Sequence, residues 1–265
     1  NRVLNPEGSP LLMLNRVFQR VCLRATGQNG TSEPVPAVIA EPKKQIVEVS
    51  EVVKALPQSV GHTTLVIDCS TSISVVAVTF VAAFAHLLSM LREQYGEALL
   101  MTLFGMHHRI WKIVENNPVT GVREFKQRQF ELGGIWSLLE GGTHLLDAIC
   151  QSCEHALSQK GDRVIAILTD GFNRDGQSKQ TSSYEDAREW LQLAREDGIT
   201  VRLVGFVSLE YQAKLRKFID EVGFAPEEVL LVYYNNDEER DAGARTSMTN
   251  VGNTITGSIR VRPKS

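Results

Sequence analysis

From Thr63 onward, short apolar runs alternate with helical stretches, and this alternation limits the fold more than any other feature of the chain. Leu65-Val66-Ile67 is a β-branched run; Asp68 to Ser74 reads as a loop, and a helical segment follows to about Tyr95. Ala98 to Phe104 and Arg109 to Val114 flank Gly105-Met106-His107-His108, which predicts two strands joined by a tight turn. Gly141-Gly142-Thr143 opens a helix to about Leu157, and Arg163 to Leu168 is a strand of buried type ending at Thr169-Asp170-Gly171. Helix Ser183 to Glu196, strand Thr200 to Phe206, helix Leu209 to Val222, strand Val229 to Tyr233 and a final helix over Asp237 to Thr249 complete the pattern. Parallel strands need crossover connections, so this order predicts an α/β fold: a doubly wound, mainly parallel sheet with one antiparallel edge strand and helices on both faces.

Ile73 to Leu91 carries no Asp, Glu, Lys or Arg over nineteen positions and has the length of a membrane span. Ser74, Thr79, His86 and Ser89 dilute it and it directly follows a strand, so we read it as a helix buried against the sheet, apolar nearly all round. Residues 1–60 differ in character and are read as an extension. Ser9-Pro10 followed by Leu11, Leu12, Leu14, Val17, Phe18, Val21 and Cys22 predicts a short amphipathic helix, with Arg16, Arg20 and Arg24 on its solvated face. Residues 25–42 read as a linker, and a short strand is expected near Gln45 to Val49. The globular domain is expected over 61–250, with a polar, basic tail over 251–265.

A formal charge of -3 gives no basic field for nucleic acid, which is not an expected partner. Four cysteines, Cys22, Cys69, Cys150 and Cys153, are few for 265 residues and favour a reducing, cytoplasmic setting. Cys150 and Cys153 form a C-x-x-C inside an expected helix, far from a second ligand pair, so neither zinc nor redox chemistry is favoured. Asn29-Gly30-Thr31 matches a glycosylation sequon, a pattern short enough to arise by chance.

Three patterns fall where strands end and helices begin: Asp68-Cys69-Ser70-Thr71-Ser72, Gly142-Thr143 and Thr169-Asp170-Gly171. In an open parallel sheet the loops at the carboxyl ends of the strands converge where strand order reverses. The patterns supply carboxylates and hydroxyls only, hard oxygen donors suited to Mg²⁺, Mn²⁺ or Ca²⁺. Each alone is ordinary loop or cap chemistry. Together, in this order, they resemble the metal-ion-dependent adhesion site of von Willebrand factor A domains, with its D-x-S-x-S loop, distant Thr and later Asp. The resemblance covers roughly 63–234 and extends to the Gly-Gly-Thr and Leu-Thr-Asp-Gly contexts at 141–143 and 168–171. It implies a Rossmann-like sheet and a cation held by Asp68, Ser70, Ser72, Thr143 and Asp170. The two serines would bind directly, Thr143 directly or through water, and the aspartates mainly through water.

A shell short of direct carboxylate ligands leaves the cation a position for a partner's Asp or Glu, so the resemblance implies a metal-dependent protein-binding module rather than an enzyme. His144 and Asn173 are candidates for lining that surface, although ordinary loop roles suit both. Among intracellular relatives, adaptors of AAA+ ATPases and subunits of bacterial stress or defence complexes give the expected context. The alternatives are a Mg²⁺-dependent hydrolase or phosphatase using Asp68 or Asp170, and a structural domain with an idle metal site. The enzyme finds no phosphate loop, no nucleophile elbow and no Lys or Arg within the three motifs.

Overall fold

Strand β1 (Gly61–Asp68) lies inside a six-stranded sheet and is buried on both faces from Thr63 to Asp68. It pairs in parallel with β2 (Leu99–Met106) on one side and with β4 (Arg163–Thr169) on the other. Beyond β4 come β5 (Thr200–Ser208) and β6 (Val229–Tyr234), both parallel. On the far side β3 (Ile110–Pro118) pairs antiparallel with β2 and forms the edge. The order is β3-β2-β1-β4-β5-β6, a doubly wound sheet that reverses direction between β1 and β4. The computed structural model describes residues 60–70, 76–107, 109–122, 142–170 and 180–260. The helix read over 10–22 and the strand read over 45–49 lie outside these residues, as do Cys22, Asn29, Ser72 and Asn173.

Among the described residues five α-helices pack on the sheet: α1 (Ala77–Tyr95), α2 (Leu145–Leu157), α3 (Tyr184–Glu196) and α4 (Gln212–Val222) lie between strands, and α5 (Asp237–Ser258) follows the last one. Side chains alternate along each strand, so Leu65 and Ile67 face one core with α1 and α5 while Val66 faces the other with α2, α3 and α4. α3 starts where a capping box forms: Ser183 Oγ accepts from Asp186 N at 3.1 Å and Ser183 N donates to Asp186 Oδ2 at 2.9 Å.

Three expectations change. α1 is not apolar and buried all round: Phe80, Phe84, Leu87, Leu88, Leu91 and Tyr95 form a single buried stripe, while Val78 is 61% exposed. The helix has the sheet and α5 on one side and solvent on the other. Among the described residues no helix is long and apolar enough to cross a membrane. Gly105 and Met106 belong to β2 rather than to a turn, and the Trp111 indole of β3 lies over Gly105 so closely that a Cβ there would meet Cζ2 at 2.3 Å. Finally, the last helix continues to Ser258, where a polar tail from 251 was expected, because Val251, Ile255 and Ile259 are buried against α1 and the sheet.

The end of α5 is stitched to the start of β1. Asp162 accepts His62 N on its backbone oxygen at 2.8 Å and Arg260 N on its carboxylate at 2.8 Å. The Tyr95 hydroxyl donates to the Thr256 and Ile259 carbonyls at 3.3 and 3.2 Å, and Ile259 packs on Gly61 where any Cβ would come within 2.6 Å.

Candidate metal centre

Asp68 is the last residue of β1 and Asp170 follows the last residue of β4; Ile67 pairs with Leu168, so the register brings Asp68 level with Thr169 and Asp170 one residue beyond. Both are buried, Asp68 fully and Asp170 to 6% exposure. The Asp68 carboxylate accepts from Ser70 N at 2.8 Å through Oδ1 and from Thr169 Oγ1 at 2.6 Å through Oδ2, and it also takes the Asp170 N–H and the Ser70 hydroxyl. Ser70 Oγ reaches Asp170 Oδ1 at 3.4 Å, across 100 residues of sequence. Despite these donors, burial raises the Asp68 carboxyl above its ordinary range.

Thr143 reaches the same edge by a different route. Met106 O accepts from Cys69 N at 2.6 Å and His107 O accepts from His144 N at 2.7 Å, so two adjacent carbonyls at the end of β2 hold the loop after Asp68 and the loop carrying Thr143. Thr143 is buried to 6% exposure and lies two residues before α2, not inside it. Gly142 before it has φ of 144°, a conformation that side chains rarely adopt. His144 is buried, its Nδ1 3.4 Å from Asp147 Oδ2, rather than lining an open surface.

The sequence motifs passed over several residues here. Thr169 donates directly to Asp68, and Tyr234, at the end of β6, feels Asp170: burial and then that carboxylate raise its phenol above the usual range. Arg240 stacks over the Tyr234 ring at 5.1 Å. The signal for Thr169 was in the TDG pattern, but Tyr234 and Arg240 are distant in sequence and nothing linked them. Cys150 and Cys153 lie inside α2 as read, and burial pushes their thiols up, Cys150 to about 12.

Two carboxylates and a hydroxyl thus meet in a buried corner, where like charges repel in a low dielectric. Among the described residues no group of three or more His, Cys, Asp or Glu that could hold a metal ion is present; the polar atoms that meet at this corner are carboxylate and hydroxyl oxygens. Such a set fits a hard divalent cation held by oxygen.

No family profile matches the sequence, and no curated protein matches it. Solved structures do resemble it. The vWF domain of the type V pili tip protein Mfa5 from Porphyromonas gingivalis superposes with a TM-score of 0.54 at 11% identity, covering 78% of this chain and 98% of that one. The open conformation of the pilus adhesin SpaC from Lactobacillus rhamnosus GG gives a TM-score of 0.53 at 12% identity, covering 74% of this chain. The matched region spans 30% of SpaC. Sheet order, the antiparallel edge strand and these likenesses agree: the chain has the von Willebrand factor A fold.

Proposed function

We propose that this domain is a metal-dependent protein-binding module, in which Asp68, Ser70, Ser72, Thr143 and Asp170 hold Mg²⁺ and present it to an Asp or Glu of a partner protein. One observation carries the reading: Ser70 Oγ stands 3.4 Å from Asp170 Oδ1 above the buried Asp68 carboxylate, at the point where strand order reverses. Asp68 orders the loop by accepting Ser70 N, and Thr169 and the Asp170 N–H hold its carboxylate in place. When bound, the cation supplies a Lewis-acidic position for a carboxylate oxygen. The protein's share is to keep the donors fixed and mostly neutral, so that an anionic ligand from outside is still attracted. SpaC is a pilus adhesin, and a binding role on this fold supports binding rather than turnover here. As a setting we propose an intracellular complex, from the low cysteine count; an AAA+ ATPase or a bacterial stress or defence assembly as partner is what the resemblance to von Willebrand factor A domains implies for such a setting.

The test is capture of a partner in Mg²⁺ and its release by EDTA, repeated with Thr143→Ala. That variant removes one hydroxyl at the rim of the site and is expected to lose the EDTA-sensitive binding while melting within about 2 kcal/mol of wild type. Thr143→Ala binding with wild-type affinity refutes the assignment, and Mg²⁺-dependent phosphatase turnover by the wild type supports the enzyme instead.

A further inference from the structure

Asp147 is not part of any metal motif, yet it is one of the most heavily hydrogen-bonded carboxylates in the domain. It lies in the first turn of α2, four residues after Thr143, and is 5% exposed. Thr181 N donates to both its oxygens at 3.1 Å, Thr181 Oγ1 to Oδ1 at 2.8 Å and Ser182 N to Oδ1 at 2.7 Å. The neighbouring Leu146 N donates to Gln180 Oε1 at 3.2 Å. Residues 180–182 are the far end of the connection that leaves β4 at Asp170 and enters α3 at Tyr184. Asp147 therefore joins the helix that directly follows Thr143 to the connection that begins with Asp170. Its Oδ2 is also 3.4 Å from His144 Nδ1, next to Thr143, whose other tether is the bond from His144 N to His107 O.

A buried carboxylate that accepts this many donors within one turn of a rim hydroxyl does more than cap α2. Backbone N–H groups and a hydroxyl from one segment hold it, so α2 cannot shift along its axis without breaking them. Resting on the metal-site reading above, we propose that Asp147 is a positioning residue: it fixes Thr143 relative to Asp68, Ser70 and Asp170, and thereby sets the affinity of the site for the divalent cation. Outer groups that orient metal ligands typically cost tenfold to a hundredfold in metal affinity when changed.

The experiment measures Mn²⁺ affinity by electron paramagnetic resonance and calorimetry on the full chain, at a temperature where each protein is folded by circular dichroism. Four proteins are compared: wild type, Asp147→Asn, Thr181→Ala and Ser183→Ala. Asp147→Asn keeps the shape but turns one acceptor into a donor facing Thr181 N, and is expected to weaken Mn²⁺ binding about tenfold to a hundredfold. Thr181→Ala removes only the Oγ1 bond and is expected to lose less, which keeps the test alive if Asp147→Asn does not fold. Ser183→Ala removes the α3 cap one residue away without touching Asp147, and is expected to melt earlier with Mn²⁺ affinity unchanged. Wild-type affinity in Thr181→Ala together with wild-type affinity or unfolding in Asp147→Asn overturns the proposal, as does an equal loss in Ser183→Ala. Absence of Mn²⁺ binding by the wild type itself overturns the underlying site, a separate result.

Discussion

Replacing Asp68 separates a structural anchor from a carboxylate arranged to meet a cation, because the two roles predict opposite signs. Asp68→Ala strips the acceptor from Ser70 N and from Thr169 Oγ1, at 2.8 and 2.6 Å. Each buried donor left without a partner costs about 1–3 kcal/mol, so roughly 2–6 kcal/mol is at stake. Asp68→Asn keeps an oxygen for Ser70 N, and its amide can donate to Thr169 Oγ1 in return. It also removes a charge that burial disfavours next to Asp170. The expected order of melting midpoints in EDTA is therefore Asp68→Asn at or above wild type, with Asp68→Ala clearly below. Mg²⁺ reverses the comparison. At a hundredfold excess over Kd, a ligand binding only the folded state adds about 2.7 kcal/mol, and at about 2–4 °C per kcal/mol for a domain of this size the wild type should rise by roughly 5–11 °C. Asp68→Asn should rise by little. Thermal melts followed by circular dichroism, in EDTA and in Mg²⁺, read both effects. A full Mg²⁺ shift in Asp68→Asn, or an Asp68→Asn midpoint in EDTA as low as that of Asp68→Ala, refutes the reasoning.

Gly105→Ala drives a Cβ into the Trp111 indole and should cost about 1–3 kcal/mol in urea unfolding, with a shift in tryptophan emission. His62 and His155 are held below the ordinary histidine value of 6.5, both mainly by burial, His62 then by Arg163 and His155 then by Lys112. Because their folded values are depressed, the stability linked to them is present above 6.5 and is lost as pH falls below it; midpoints measured from pH 7.5 to 5 should decline, and less steeply in His155→Gln. With their thiols raised and buried, Cys150 and Cys153 should be inert to Ellman's reagent in the folded protein and titrate on unfolding.

The sheet was readable because β1, β4 and β5 are mostly buried on both faces and carry unbroken apolar runs over 65–67, 164–168 and 203–207. Boundaries failed where packing overrides composition. β1 begins at Gly61, with Thr63 and Thr64 fully enclosed by strands on either side, although neither residue is apolar. α5 runs through Thr249, Asn250, Gly252, Asn253, Thr254 and Gly257, poor helix formers, since its stability comes from seating Met248, Val251 and Ile255. Of the candidate site, the meeting of Asp68, Ser70 and Asp170 was legible because each sits where a strand ends, and Thr143 was legible as a residue just before a helix, next to the His144 that is bonded to the end of β2. Asp147 was not. An acid in a helix's first turn reads as a response to the helix dipole, and its partners lie 34 and 35 residues further on, where no periodicity connects them.

The stitching of Ile259 and Arg260 to Gly61 and Asp162 has a mechanical consequence. Residues 60 and 260 lie at the same end of the sheet, opposite the end where Asp68 and Asp170 lie, so tension applied at these two residues is expected to load that seam and not the candidate site. Pulling from those two points is expected to strain the Arg260–Asp162 bond and the Ile259–Gly61 contact first. The helix that covers one hydrophobic core thus also closes the domain at the end of the sheet opposite Asp68 and Asp170.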